Sequence, residues 1–102
     1  MRVISRRPLR QFSERWPAAA KPLDDWLRLT VRSFWGSFAG VKATFGQTDQ
    51  IRVGSGARVL IFDIGGNKFR LVAAISYPKG KVYVLRIMTH KEYDRGNWKA
   101  QL

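Results

Sequence analysis

The stretch that decides the fold is RVLIFDIGGNKFRLVAAI, residues 58–75. Two runs of aliphatic, β-branched and aromatic residues flank Gly65-Gly66, which is the pattern of two antiparallel strands joined by a tight turn. If the two glycines form the turn, Phe62 pairs with Phe69 on one face of the hairpin. The stretch therefore predicts a β-hairpin with one apolar face.

A second turn signal, Pro78-Lys79-Gly80, predicts a third strand over residues 81–88. A turn centred on Pro78 pairs Leu71 with Leu85, on the same apolar face as the first hairpin. Both turns therefore predict a single core face, because a one-residue shift in either hairpin would bury polar side chains.

On the other face of the sheet, the same register sets Arg70 directly opposite Arg86. Like charges on paired strands repel each other, so this arrangement favours an anion bound between the two guanidinium groups. Phosphate has the charge and the oxygen geometry that arginines bind. We expect a phosphate clamp here; the alternative is that both side chains splay apart into solvent.

The first third of the chain has the periodicity of α-helices. A first helix is predicted to be capped by Ser5 and ended by Pro17. The apolar residues of a second helix follow one stripe of 3.6-residue period and are expected to face the core: Leu23, Trp26, Leu27, Val31 and Phe34. We expect an α+β fold, a single domain over residues 1–102, in which two N-terminal helices pack on one face of an antiparallel sheet of three or more strands. The other face is expected to be uncovered.

The chain is strongly basic, with 19 Lys and Arg, 7 Asp and Glu and a formal net charge of +12 at pH 7. Self-repulsion of this size weakens a folded protein unless a polyanion or an acidic protein relieves it. Nucleic acid is therefore the first candidate partner, bound through its phosphates.

Several classes of protein are excluded by what the sequence lacks. With no Cys and one His, it has neither a disulfide framework nor a Cys- or His-rich metal site, and we expect no metal and no cofactor. No apolar run approaches the roughly 20 residues that cross a bilayer. We expect a cytoplasmic protein with no membrane partner.

A titratable group follows the third predicted strand, in Thr89-His90-Lys91-Glu92-Tyr93-Asp94. An imidazole exchanges protons near neutral pH, so His90 is a candidate general acid or base. A lone His is more often a surface or capping residue. The predicted phosphate clamp beside His90 favours the catalytic interpretation, because the acid or base of a phosphoryl reaction must reach a phosphate oxygen.

The run FDIGGNKFRLV, residues 62–72, and the hexapeptide THKEYD, residues 89–94, occur in one chain here, and residues 1–9 and 42–45 add to the pattern. Together they resemble the HigB-type toxins of bacterial type II toxin–antitoxin modules, members of the RelE-like superfamily of mRNA interferases. The resemblance implies a RelE-like fold and ribosome-dependent cleavage of mRNA in the ribosomal A site. It also implies an inhibiting antitoxin that carries a helix-turn-helix domain and, through it, contacts operator DNA.

The chemistry of RNA cleavage without metal suggests roles for individual residues. The 2′-hydroxyl attacks the adjacent phosphorus, so a proton must be removed, the phosphorane neutralised and the leaving oxygen protonated. Arg70 and Arg86 suit the neutralisation, His90 is the preferred acid or base, and Tyr93 is expected to orient the phosphate or stack on a base. Further RNA contacts are expected from Lys42, Lys68, Asn67 and Lys91; one of the lysines is an alternative base.

Two other classes of function are alternatives to the nuclease. A non-catalytic RNA-binding or ribosome-associated protein would share the charge and the arginine pair but would not depend on His90. A DNA-binding protein is disfavoured, because the predicted helices use their apolar faces for the core and form no recognition-helix pair.

Overall fold

The computed structural model describes all residues, 1–102, and its helices and strands confirm the α+β fold. One five-stranded sheet has the order β1-β5-β4-β3-β2. Its strands are β1 (Arg2–Ile4), β2 (Asp49–Arg52), β3 (Arg58–Ile64), β4 (Phe69–Ser76) and β5 (Lys81–Thr89). The helices are α1 (Arg7–Arg15), α2 (Ala20–Arg32), α3 (Phe38–Thr44), α4 (His90–Arg95) and α5 (Trp98–Gln101).

The main core lies between the three N-terminal helices and one face of the sheet. Leu9 of α1, Trp26 of α2 and Val41 of α3 are buried against sheet residues such as Phe62 and Leu71. Phe62 contacts the Trp26 ring edge-on, with 5.4 Å between centroids. These apolar contacts hold the helices on the sheet face that the alternation of apolar residues in the strands predicts.

Two edge strands were not predicted from the sequence. β1 pairs with β5 in parallel, so the sheet is mixed rather than wholly antiparallel. β2 pairs with β3 and extends the other edge. Both strands are short, and their neighbours along the chain form loops and helices, so neither carries a periodic signal long enough to identify.

The first hairpin has a longer loop than predicted. Ile64 pairs with Phe69, and Phe62 pairs with Leu71, so residues 65–68 form a four-residue connection. Gly65 and Gly66 both have positive φ, 64° and 71°, which explains why the turn uses glycine. The predicted register is wrong by two residues, and because side chains alternate with a period of two, the core face is unchanged.

The strand register of the second hairpin differs from the one that predicted the pairing of Arg70 with Arg86. Near its turn Ser76 pairs with Lys81, whereas at the far end Arg70 pairs with Met88 and Val72 pairs with Arg86. The register shifts between Val72 and Ala73, which leaves an extra residue on β5. Arg70 is therefore not opposite Arg86, although both stay on the same face of the sheet.

That extra residue is Leu85, and it is a β-bulge. Before the bulge, Val82 and Val84 face the helical core; after it, Ile87 does. Leu85 itself contacts the second apolar cluster, so its predicted place on the core face is wrong. The bulge lets apolar residues of opposite parity reach the same core.

The second face of the sheet is covered at one end, which also differs from the prediction. Val59, Ile61 and Val72 form a second apolar cluster with Trp98 of α5. Trp98 is 5% exposed and donates a hydrogen bond from Nε1 to the carbonyl of Tyr93 at 3.2 Å. The C-terminal helices thus close a small second core. No helix is long and apolar enough to span a membrane.

The helical stripe of α2 extends past the core. Leu23 and Trp26 are buried as predicted, but Val31 is 39% exposed and Phe34, beyond the end of the helix, is 91% exposed. The first helix also differs in detail, because Ser5 precedes the cap residue Arg6 and makes no capping hydrogen bond. Apolar periodicity identifies which face of a helix is buried, but it does not show how far along the helix the sheet covers that face.

Candidate active site

Arg70 lies in a network of its own strand pair and the following loop. Its Nε is 3.2 Å from Oδ1 of Asp63, the residue opposite it on β3. Its terminal nitrogens donate to the carbonyl of Phe69, at 3.1 Å, and to the side-chain oxygen of Asn67. Only 8% of the residue is exposed. Arg70 is therefore a buried, ion-paired arginine that fixes the β3–β4 loop.

The direct cross-strand pairing predicted for Arg70 and Arg86 is not found. The Arg70 guanidinium is ion-paired with Asp63 on β3, whereas Arg86 on β5 lies opposite Val72. Arg86 lines a separate groove of about 270 Å³ between β5 and the C-terminal helices, together with Glu92, Arg95 and Trp98. Its one hydrogen bond within the chain goes to the carbonyl of Leu85, at 2.8 Å, and it has no carboxylate partner. Arg86 is the arginine with donors free for a phosphate.

A capping box starts the helix that carries the titratable residues. The Thr89 hydroxyl accepts from the Glu92 amide, and the Glu92 carboxylate accepts from the Thr89 amide. Helix α4 then ends at Gly96, whose φ is 74°. The hexapeptide of residues 89–94 is therefore mostly helical, and His90, Tyr93 and Asp94 share one face of the helix by their i, i+3, i+4 spacing.

Only one of the two ring nitrogens of His90 has a partner in the free protein. Nε2 lies 3.0 Å from Oδ2 of Asp94, and Nδ1 is enclosed without a hydrogen-bond partner. The backbone amide of His90 donates to the carbonyl of Lys68 at 2.9 Å, which ties α4 to the β3–β4 loop. The side chains of His90 and Asp94 are 43% and 58% exposed, so their contact is open to a competing ligand.

Tyr93 joins the helix to the buried arginine. The Arg70 guanidinium carbon lies 5.5 Å from the centre of the Tyr93 ring, and the Trp98 ring stacks on the other side with centroids 5.5 Å apart. The Tyr93 hydroxyl has no partner within the chain and is not enclosed. The ring is thus held between two residues while its hydroxyl remains available to a substrate.

Burial raises the pKa of Tyr93 above its usual value of 10.0, and the nearby carboxylate of Asp49 raises it further, whereas Arg70 acts in the opposite direction. The phenol is therefore neutral at physiological pH. A neutral phenol donates a hydrogen bond and does not act as a base.

The raised pKa of Tyr93 predicts a loss of stability in alkali. Since the folded phenol keeps its proton to a higher pH than the unfolded one, its contribution is complete below about pH 10 and is lost as the pH rises through the folded pKa. We expect the free energy of unfolding to fall less steeply above pH 10 in Tyr93→Phe than in the wild type, as measured by urea denaturation across that range. Superimposable pH dependences would contradict this.

The four residues predicted to contact RNA lie in two separate regions of the protein. Lys68, Asn67 and Lys91 are exposed around the loop and helix start that flank Arg70 and His90. Lys42 lies on α3, and its Nζ donates to the carbonyls of Gly46 and Thr48, at 2.7 and 3.2 Å.

The segment that Lys42 holds forms one wall of a cleft. This cleft, of about 400 Å³, lies between residues 45–48 and the β3–β4 loop and is also lined by Asp63 and Asn67. Because Asp63 and Asn67 are both partners of Arg70, the cleft opens next to the buried arginine. Lys42 therefore shapes the surroundings of the site through this wall.

Three residues of the site were missed from the sequence. Asp63 was expected opposite Lys68, so its pairing with Arg70 was hidden by the wrong loop length. Asp94 stands four residues after His90, which would have been a signal once the segment was recognised as a helix. Trp98 carried no signal, because its partners are distant in sequence. No group of three or more His, Cys, Asp or Glu residues is arranged to hold a metal ion.

Comparison with known sequences decides the family. A model of the HigB toxin family, described as the RelE-like toxic component of a toxin–antitoxin system, matches residues 19–96. The chain belongs to the HigB toxin family. The residues matched include α2, the whole sheet except β1, and α4, so the match contains every residue of the candidate site described above except Trp98.

Curated HigB relatives align over nearly the whole chain. The mRNA interferase toxin HigB of Escherichia coli strain K12 is 28% identical over 94 residues, which are 92% of this chain and 88% of the relative. The mRNA interferase HigB of Shigella flexneri aligns with the same identity and coverage. The mRNA interferase HigB of Escherichia coli O6:H1 is 26% identical over 95 residues, 93% of this chain and 90% of the relative.

Proposed function

We propose that this HigB-family toxin is an mRNA endoribonuclease that inhibits translation by cutting messages on the ribosome, in the cytoplasm. Membership of the family and relatives named mRNA interferases support the activity. The observation that carries the assignment of a site is the single turn of α4, which presents His90, Tyr93 and Asp94 beside Arg70.

The proposed reaction is an internal transesterification of RNA. The 2′-hydroxyl oxygen forms a bond to the adjacent phosphorus while the bond from phosphorus to the 5′ oxygen breaks, so the products are a 2′,3′-cyclic phosphate and a 5′-hydroxyl. The proton of the 2′-hydroxyl passes to water, and the 5′ oxygen takes up a proton from an acid. Charge on the phosphorane oxygens is neutralised by cationic and hydrogen-bonding side chains.

His90 is the proposed acid. In the free protein its Nε2 faces the Asp94 carboxylate, and a phosphate arriving at the same position offers an equivalent anionic acceptor. The substrate thus displaces Asp94 from the protonated imidazole, whose Nε2 proton goes to the leaving 5′ oxygen. Proton transfer of this kind contributes about 10²- to 10⁴-fold to a rate.

Charge neutralisation is proposed to fall to Arg86 and Tyr93. The Arg86 guanidinium has unpaired donors on the same sheet face and binds a phosphate of the RNA strand. The neutral Tyr93 hydroxyl donates a hydrogen bond to a phosphate oxygen. Arg70 acts through Tyr93 and the β3–β4 loop, so it is a positioning residue rather than half of a phosphate clamp.

This mechanism uses side chains alone and no metal ion or cofactor. We further propose that the cognate antitoxin is a protein with a helix-turn-helix domain, so that the toxin associates with operator DNA only through the antitoxin.

The activity is tested by primer extension on an mRNA that is being translated, with and without the purified toxin. We expect new 5′ ends within codons when toxin is present, and none on the same mRNA without ribosomes. Intact message on translating ribosomes would overturn the proposal in favour of a basic protein that binds RNA or ribosomes without cleaving.

A further inference from the structure

An apolar stripe on α2 continues beyond the protein's own core. Leu23 is 2% exposed, Leu27 is half-buried, Val31 is 39% exposed and Phe34 is 91% exposed. Spacings of four residues keep Leu23, Leu27 and Val31 on one flank of the helix, and Phe34 follows in the chain just after the helix ends at Arg32. A phenylalanine with almost its whole surface in water next to further exposed apolar area is characteristic of a binding surface.

The more buried part of this stripe, Leu23 and Leu27, lines a groove of about 350 Å³ between α1 and α2, and Val31 and Phe34 follow in the chain beyond that lining. The floor of the groove is aliphatic and includes Leu9, Leu23 and Leu27. Arg6 and Arg10 stand on its rim; both are exposed, and neither has a carboxylate partner within the chain. The groove therefore combines an apolar floor with unpaired positive charge.

The one carboxylate that lines the groove does not neutralise this rim. Asp24 pairs with Arg28, one turn further along the same helix. Because the whole chain carries a net charge of +12, an acidic partner is favoured on this rim over a neutral or basic one.

We propose that the α1–α2 groove, extended by Val31 and Phe34, binds an acidic amphipathic helix of the cognate antitoxin. This inference rests on the proposal that the antitoxin is a protein. Apolar side chains at i, i+3 or i+4 and i+7 of the partner helix enter the leucine floor, and its Asp and Glu residues pair with Arg6 and Arg10. RNA fits the floor less well, since leucines offer no aromatic face on which bases stack.

The test measures the affinity of the purified toxin for its cognate antitoxin by calorimetry. Phe34→Ala removes a side chain that contacts solvent, so the fold is unaffected and we expect the dissociation constant to rise about tenfold or more. The double substitution Arg6→Glu and Arg10→Glu replaces attraction by repulsion and is expected to raise it by a similar or larger factor, chiefly at low salt.

Matched controls lie elsewhere on the surface. Leu29, 46% exposed, is on the same helix but roughly 160° around it from Val31, so Leu29→Ala should leave the affinity unchanged. Lys79→Glu, in the exposed β4–β5 turn, controls for the change in net charge. Unchanged antitoxin affinity in the groove variants, or equal losses in the controls, would overturn the assignment.

Cleavage of translated mRNA is measured on the same variants. We expect all of them to cleave at the wild-type rate, because none of the substituted residues belongs to the candidate active site. Groove variants that lose cleavage but keep antitoxin affinity would identify this surface as an RNA or ribosome contact instead. Calorimetry measures antitoxin binding whether or not the toxin cleaves RNA. If the wild-type toxin does not cleave mRNA, the nuclease proposal is refuted, and the antitoxin affinities of the variants still test the docking surface.

Discussion

Substituting His90→Gln should lower the rate of mRNA cleavage by ~10² or more. Glutamine keeps a side-chain hydrogen-bonding group near Asp94 but cannot deliver a proton to the leaving oxygen. The imidazole is 43% exposed and the backbone hydrogen bond from residue 90 to Lys68 does not involve it, so the fold should persist. The rate is measured by primer extension under single-turnover conditions on translating ribosomes.

The matched variant is Asp94→Asn, which retains the shape of the partner and removes its charge. Because Asp94 is displaced by substrate in the proposed mechanism, we expect cleavage to change far less than in His90→Gln. A change of only a few-fold in His90→Gln itself would transfer the proton-donating role to a lysine or tyrosine of the site. Urea denaturation of both variants separates a chemical effect from unfolding.

Substituting Arg70→Ala should both abolish cleavage and destabilise the protein, by about 2–4 kcal/mol. The guanidinium is 8% exposed and has three partners, so its removal leaves the carboxylate of Asp63 without its cation and the loop at Asn67 without its anchor. It also removes one of the two groups that hold the Tyr93 ring. The measurement is the urea midpoint at constant denaturant slope.

A double-mutant cycle measures how much the Arg70–Asp63 ion pair contributes to the lost free energy of unfolding. Combining Arg70→Ala with Asp63→Ala removes both charges, and the double variant should be less destabilised than the sum of the two single variants. Wild-type stability of Arg70→Ala would show that the network is not structural.

Much of the architecture was predictable because its signals are local. Gly65 and Gly66 identified the first turn, and alternating apolar residues identified the face that meets the helices. The side-chain period of two made the face robust, so a two-residue error in loop length did not affect it. The types of residue at the candidate site could also be predicted from the sequence, since an imidazole, a phenol and arginines suit phosphoryl chemistry wherever they lie in the chain.

Pairing between specific side chains was not predictable, because it depends on features that leave no local signal. The β4–β5 turn and the bulge at Leu85 each shift the register by one residue, so Arg70 lies opposite Met88 rather than Arg86. The four-residue β3–β4 loop sets Arg70 against Asp63. A bulge forms where it improves burial on both sides of a strand, which is a property of the assembled core.

The amino-acid sequence by itself determined the basic charge, the two N-terminal helices and the three central strands, and the chemistry carried by residues 89–94, since composition and periodicity are properties of neighbouring residues. Tertiary structure alone decided that Arg70 is buried under Tyr93, that His90 faces Asp94, and that Val31 and Phe34 remain uncovered. These outcomes depend on the register between strands and on where each helix ends against its neighbours. Both are set by contacts between residues that are far apart in the chain.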